Sequence, residues 1–191
     1  PIHRNPPGSK PSSFLWRKVI PPLAGAGLRA IAPDLLGMGW SEGPPDADLT
    51  MPAQAARLVR LLDTLEVARA HVVAHDQGGA AAQILVAHHP DRVASLTLTN
   101  CVAFDNWPVP VIRRAQQLAA VPGLAELSWH SGLGERFFRS RAGLRSGVLL
   151  PASLSDEALD EYLAPLREKA RRRAAIRFLL AGDARHTMGV V

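Results

Sequence analysis

The stretch Val72-Val73-Ala74-His75-Asp76-Gln77-Gly78-Gly79-Ala80-Ala81-Ala82 constrains the fold more than any other part of the chain. A short apolar run passes without a loop into a helix of small residues. Ala74 stands two positions before Asp76, and Gly78 and Gly79 stand two and three after it. Strand and helix can meet that abruptly only if the residue at the bend accepts a strained backbone and its neighbours lack bulk. Such a bend displays its central side chain at the carboxyl end of a sheet. The helix from Gly78 points the positive end of its dipole there, which favours an anion. Asp76 is the displayed residue. An aspartate in that place can attack carbon and form an alkyl ester with the protein, whereas a serine would indicate esterase, lipase or peptidase chemistry. The plainer alternative is that Asp76 only caps the following helix.

From Leu28 to Val102, short apolar runs alternate with helical patterns, the βαβ texture of a parallel sheet covered by helices. Leu28 to Ala32 reads as a strand, followed by the loop Pro33-Asp34-Leu35-Leu36-Gly37-Met38-Gly39. Asp34 is expected to order that loop through backbone hydrogen bonds. Met51 to Leu65 reads as a helix, because Ala55, Leu58, Leu62 and Leu65 recur at spacings of three and four and Thr50 can serve as N-cap. His71 to Ala74 is the next strand, Gly78 to His89 a helix stopped by Pro90, and Val93 to Asn100 a third strand. The texture changes near Phe104, and from Asp105 onward helical stretches rich in Pro, Gly and Arg take over. Ile112 to Val121 and Ser155 to Leu180 are the clearest, the second broken or kinked at Pro165. The division is a partial α/β core over 1–104, an inserted helical cap over 105–180, and a return towards the core over 181–191.

Composition narrows the function classes. Hydrophobic residues make up 47% of the 191 positions, ample for a packed core. Apolar runs such as Ile84 to Ala87 are too short to cross a bilayer, so no membrane partner is expected. A single cysteine, Cys101, allows no internal disulfide and fits a reducing, cytoplasmic setting. The net charge of +5 is concentrated around Arg167, Lys169, Arg171, Arg172, Arg173 and Arg177. Glu157, Asp160, Glu161 and Glu168 precede or interrupt that run at helical spacing, so it reads as a solvated helix face rather than a nucleic-acid site. No phosphate loop, dinucleotide fingerprint or ligand cluster is present, so neither cofactor nor metal is expected.

Taken together, the segments resemble the aspartate-nucleophile branch of the α/β-hydrolase superfamily, the haloalkane dehalogenases and epoxide hydrolases. Ser12-Ser13-Phe14-Leu15-Trp16-Arg17, Ala32-Pro33-Asp34-Leu35-Leu36-Gly37-Met38-Gly39-Trp40-Ser41, the bend at Asp76, and His89-Pro90-Asp91-Arg92-Val93 follow the family's order. The resemblance implies an α/β-hydrolase fold, a mostly parallel sheet flanked by helices with an inserted helical cap. It makes Asp76 the nucleophile and gives the backbone N–H groups of Asn5 and Gln77 to an oxyanion hole. The Asn5 side chain, within His3-Arg4-Asn5-Pro6, resembles the halide donor of many dehalogenases. Where dehalogenases usually carry a tryptophan after the nucleophile, this chain has Gln77, an amide that can also donate. Arg4 replaces a usual glycine. Epoxide hydrolases normally use two cap tyrosines, and here there is only Tyr162. Trp107, Phe137, Phe138 and Tyr162 are candidates to line an apolar pocket for a small apolar substrate, with cap core as the alternative for the first three.

A hydrolytic cycle also needs a histidine base and a carboxylate that orients it. None of the seven histidines lies in the family's context for the base. His75 adjoins Asp76 along a strand and therefore points to the opposite face, while His88 and His89 suit a helix end. Asn100 occupies the position where some dehalogenases carry the acid, so the acid is expected after a later strand. The strand that would lie between Leu28 to Ala32 and His71 to Ala74 is also missing, apart from its exit loop at His3. The expectation is an incomplete chain: a gene fragment, a truncated chain, or one piece completed by another polypeptide, unable to turn over alone. Three classes stay open: hydrolysis through an alkyl-enzyme ester, with dehalogenation ahead of epoxide opening; a non-catalytic relative that binds a small apolar ligand; and an oligomer-forming scaffold or nucleic-acid binder. Oligomeric state is not legible.

Overall fold

The computed structural model describes residues 12–147, 150 and 153–190. In chain order its α-helices are α1 (Ile20–Gly25), α2 (Met51–Thr64), α3 (Gln77–His88), α4 (Pro110–Ala119), α5 (Leu124–His130), α6 (Leu133–Arg139), α7 (Asp156–Arg167), α8 (Lys169–Leu180) and α9 (Arg185–Met188). The strands are β1 (Ala70–Asp76) and β2 (Val93–Cys101). The chain divides into two compact units, one drawn from Pro1–Gly43 and Val121–Ile176, the other from Pro44–Ala120 and Arg177–Val191.

The second of these units holds the sheet. β1 and β2 pair in parallel, Val72 opposite Leu96 and Ala74 opposite Leu98, with α3 connecting them. Met51, Ala55 and Leu62 of α2 and Ala80, Ala81, Ile84 and Leu85 of α3 are buried. Alanines at the centre of α3 let α2 approach closely, and each large apolar side chain buried there contributes about 1.5–3 kcal/mol. Pro52 sits in the first turn of α2, where its missing N–H costs no bond. Thr50 takes the N-cap position with extended backbone but makes no side-chain cap bond. Its hydroxyl and N–H instead bond the Asp48 carboxylate, the N–H at 2.9 Å, and so hold that carboxyl below its ordinary pKa.

The first unit is largely helical. Ser155 caps α7, its hydroxyl accepting the Ala158 N–H at 3.3 Å. Leu154, Ala158 and Leu159 form a small core with Phe14, Leu144 and Tyr162. The basic run is engaged in ion pairs: Arg167 with Glu135 and Asp160 at 2.9 Å each, Arg172 with Glu126 at 2.7 Å, and Arg171 with Glu168 at 2.7 Å. Among the described residues no helix is long and apolar enough to cross a membrane.

Three expectations about elements need correction. Leu28 to Ala32 forms no strand. A strand exists by its ladder bonds, and among the described residues the sheet contains only β1 and β2. The long helical stretch is interrupted at Glu168, not at Pro165. Pro165 lies inside α7, and Glu168 turns extended at ψ 125°, its N–H bonding the Pro165 carbonyl at 3.1 Å. One turn before a helix end, a proline removes a single bond without stopping the chain at once. The stretch read as Ile112 to Val121 runs from Pro110 to Ala119, because proline starts helices well.

Candidate active site

β1 delivers Asp76 into the bend before α3 with φ 49° and ψ −127°, a conformation that L residues rarely adopt. Such a backbone costs about 1–3 kcal/mol and persists only where its surroundings hold it. At the start of α3 the side chain meets the Gln77 N–H, and it makes no capping bond further into the helix. Asp76 is exposed as a residue. Even so, the protein packed round its carboxyl pushes its pKa up, partly offset by the charge of His75 and by the Gln77 N–H. Exposure governs whether the carboxyl can be reached, and the local protein density governs how tightly it holds a proton. The Gln77 N–H at the start of α3 favours the anion, but burial outweighs it, so the bend as a whole holds the proton rather than favouring the charge expected there.

The neighbouring strand is shaped to the bend. Register slips between His75 and Asp76, so that His75 faces Thr99 but Asp76 faces Cys101, and the skipped residue, Asn100, has φ 46°. This bulge brings Cys101 against Gly79. A Cβ on Gly79 would lie 2.3 Å from Cys101 Sγ and 2.4 Å from its Cβ, so glycine is required there for lack of space. The Cys101 thiol donates to the Ala74 carbonyl at 3.3 Å, and burial raises its pKa, so it remains a thiol. The Val102 N–H donates to the Asp76 carbonyl at 3.3 Å. Gln83, on the second turn of α3, donates its amide to the carbonyls of Gly79 at 2.9 Å and Val102 at 2.8 Å.

His75 Nδ1 lies 2.7 Å from the Thr99 carbonyl, an acceptor only, so this nitrogen carries the hydrogen and the ring is tied to β2. Gln77, beside Asp76, buries its side-chain Oε1 without a donor. Trp107 belongs to the same unit but is buried, its indole N–H donating to Thr187 Oγ1 at 2.8 Å. In the other unit, Tyr162 packs edge-on to Phe14 at 5.4 Å, and Phe138 meets Phe137 at 5.7 Å and Trp129 at 6.2 Å. Phe137 is exposed. Asn5 lies outside the described residues. Asp34 orders its loop as expected: its carboxylate accepts the N–H groups of Ser13 at 2.6 Å and Trp40 at 2.9 Å. Among the described residues no group of His, Cys, Asp and Glu is arranged to hold a metal ion. A hollow of about 310 Å³ bounded by Ala55, Ile84, His88, His89 and His186 does not reach Asp76.

Sequence reasoning missed Gln83, Asn100 as a bulge, and Val102. For Gln83 a signal existed, because it is the lone polar side chain between Ala80 and Ala87 in an otherwise apolar helix.

The alpha/beta hydrolase fold family matches residues 7–133. This chain belongs to that family. As a member of the α/β-hydrolase-fold family it is 33% identical over 185 residues to a haloalkane dehalogenase of Mesorhizobium japonicum, covering 92% of this chain and 55% of the relative. It is 41% identical over 86 residues to an epoxide hydrolase of Caballeronia sordidicola, covering 44% of this chain and 26% of that one. The solved structure of Cfl2 from Burkholderia cenocepacia superposes with a TM-score of 0.75 at 30% identity, covering 90% of this chain and 60% of that one. The α/β-hydrolase chain therefore spans about half the length of the dehalogenase it matches, and its relatives are hydrolases.

Proposed function

We propose that the protein is a hydrolase in which the Asp76 carboxylate attacks carbon and forms an alkyl-enzyme ester, with carbon–halogen bonds of small apolar molecules as the leading target. The observation that carries this reading is the Asp76 bend itself. A carboxylate is held in a strained conformation at a strand end, is open to solvent, and bonds its own helix no further in than the Gln77 N–H. A purely structural cap would take an extended backbone and accept the N–H two or three residues on.

In the first step a carboxylate oxygen bonds to the substrate carbon while the carbon–halogen bond breaks and the halide leaves with the electron pair. The Gln77 N–H beside the carboxyl, with that of Asn5, is assigned to the oxyanion formed when water attacks the ester. Epoxide opening is the second reading, favoured by the 41% identity to an epoxide hydrolase across 86 residues. There the same carboxylate attacks a ring carbon, the bond from that carbon to the ring oxygen breaks, and the freed oxygen takes a proton from water. Residues 105–180 are assigned to the family's helical cap, and the cytoplasm is the proposed setting.

The test is to incubate the intact protein with 1-bromobutane or with styrene oxide and to map adducts by mass spectrometry. An ester on the peptide containing Asp76, absent from Asp76→Asn, is the expected result. Bromide release with a butyl ester, or a hydroxyalkyl ester from the epoxide, then separates the two readings. An unmodified Asp76 with both substrates, or equal product from Asp76→Asn, overturns the proposal.

A further inference from the structure

We infer that Gln83 is a positioning residue for the Asp76 nucleophile, acting as a clamp that ties the first turn of α3 to the exit of β2. The inference rests on the reading of Asp76 as nucleophile and names a residue which that reading does not need. The hydrogen bonds form a closed circuit. The Asp76 carbonyl accepts from the Val102 N–H at 3.3 Å, the Val102 carbonyl accepts from the Gln83 amide at 2.8 Å, and the same amide nitrogen donates to the Gly79 carbonyl at 2.9 Å. Asp76 to Gly79, the whole bend, lies inside that circuit.

The chemistry of the side chain fits the task. A carboxamide NH₂ carries two hydrogens on one nitrogen, so a single group can satisfy two carbonyls that approach from different elements. The Val102 carbonyl sits past the bulge at Asn100, where the strand ladder has ended, and the Gly79 carbonyl, in the first turn of α3, takes the amide on its second lone pair. The φ of 49° at Asp76 has to be imposed from outside, and this circuit is the polar means of imposing it, alongside the contact between Gly79 and Cys101.

A positioning role differs from a merely structural one in what it disturbs. Losing the clamp lets the bend relax, so the attacking oxygen leaves its line to the substrate carbon while the substrate still binds. Misplacement of reacting groups by about an ångström costs up to ~100-fold in rate. The test compares the intact wild type with Gln83→Met, which keeps length and loses both donors, in the rate of ester formation on Asp76 at varied 1-bromobutane. Thermal unfolding is recorded so that rates are read well below each midpoint. The expected result is a fall of about tenfold or more in the saturating rate with the half-saturating concentration within about twofold of wild type. An unchanged saturating rate, or a loss confined to half-saturation or to the melting temperature, overturns the clamp. If Gln83→Met does not fold, Gln83→Glu, which keeps the shape and cannot donate when ionised, is judged by the same limits. No adduct in the wild type removes the nucleophile reading itself, whereas equal rates in wild type and variant remove the clamp alone.

Discussion

Gly78 and Gly79 are adjacent, both helical, and should respond to alanine in opposite directions. At Gly79 the added Cβ meets Cys101 Sγ at 2.3 Å and Cys101 Cβ at 2.4 Å. The second clash is the decisive one, because a Cβ cannot swing away without moving the backbone of β2 at its bulge. Overpacking of this kind costs about 1–3 kcal/mol, and a Cβ–Cβ clash belongs at the upper end, about 3 kcal/mol. For a chain of this length that lowers the melting temperature by roughly 6–12 °C. At Gly78 nothing lies within 4 Å of the new atom, so Gly78→Ala should stabilise by about 0.4–1 kcal/mol through the unfolded chain. Urea unfolding followed by tryptophan fluorescence and circular dichroism measures both. A cycle with Cys101 sharpens the argument. Cys101→Ala removes only the sulfur and should relieve Gly79→Ala little, while Cys101→Gly leaves the Cα at 3.4 Å, an ordinary contact, and should relieve most of it. Gly79→Ala within about 0.5 kcal/mol of wild type, or full relief by Cys101→Ala, would refute the reasoning.

Other outcomes follow from single contacts. Ser155→Ala removes the cap of α7 and should lower stability by about 1 kcal/mol in urea unfolding. Thr187→Val leaves both the Trp107 N–H and the Phe104 carbonyl without their partner and should cost about 2 kcal/mol, more than Trp107→Phe, which removes one donor. Burial raises the pKa of Asp76, so ester formation should fall with decreasing pH through a midpoint above the ordinary carboxylate range. The folded state then holds that proton more tightly than the unfolded state. The stability due to Asp76 is therefore greatest at low pH and is lost as pH rises through the raised pKa, a slope that Asp76→Asn should remove. Asp183 behaves in the opposite sense. The Arg185 side chain holds its pKa down to about 2, so its contribution is present above the unfolded carboxylate pKa and lost as pH falls towards that value, and Asp183→Asn should flatten the acid limb of a melting profile.

What could be read from the residues alone follows the range of the interactions involved. The Asp76 bend, α2, α3 and both strands are encoded by neighbours a few positions apart, and their ends are legible to within about two residues. Ser155 reads as the start of a helix, and the cap it forms with Ala158 spans three residues, whereas Thr50, read as a cap on the same local grounds, makes no such bond. Leu28 to Ala32 carries equally good strand composition and forms none, because pairing depends on a partner that local pattern does not specify. Trp107 is open to reading as pocket lining or as core, and the Thr187 hydroxyl that takes its indole N–H comes from a distant part of the chain.

The bend shows the same divide at closer range. Small residues around Asp76 reveal that strand and helix meet sharply, but not what keeps φ at 49°. That depends on a one-residue slip in register at Asn100, which sets Cys101 against Gly79 and brings Val102 within reach of both Asp76 and Gln83. Without the slip, Asn100 would face Asp76 and the side chains beyond it would exchange faces, since strand side chains alternate. Gln83 would then meet a different carbonyl. The nucleophile is thus announced by its own neighbours, whereas its hold is supplied by the next strand, and a change at Asn100 that restores regular pairing should loosen Asp76 without touching it.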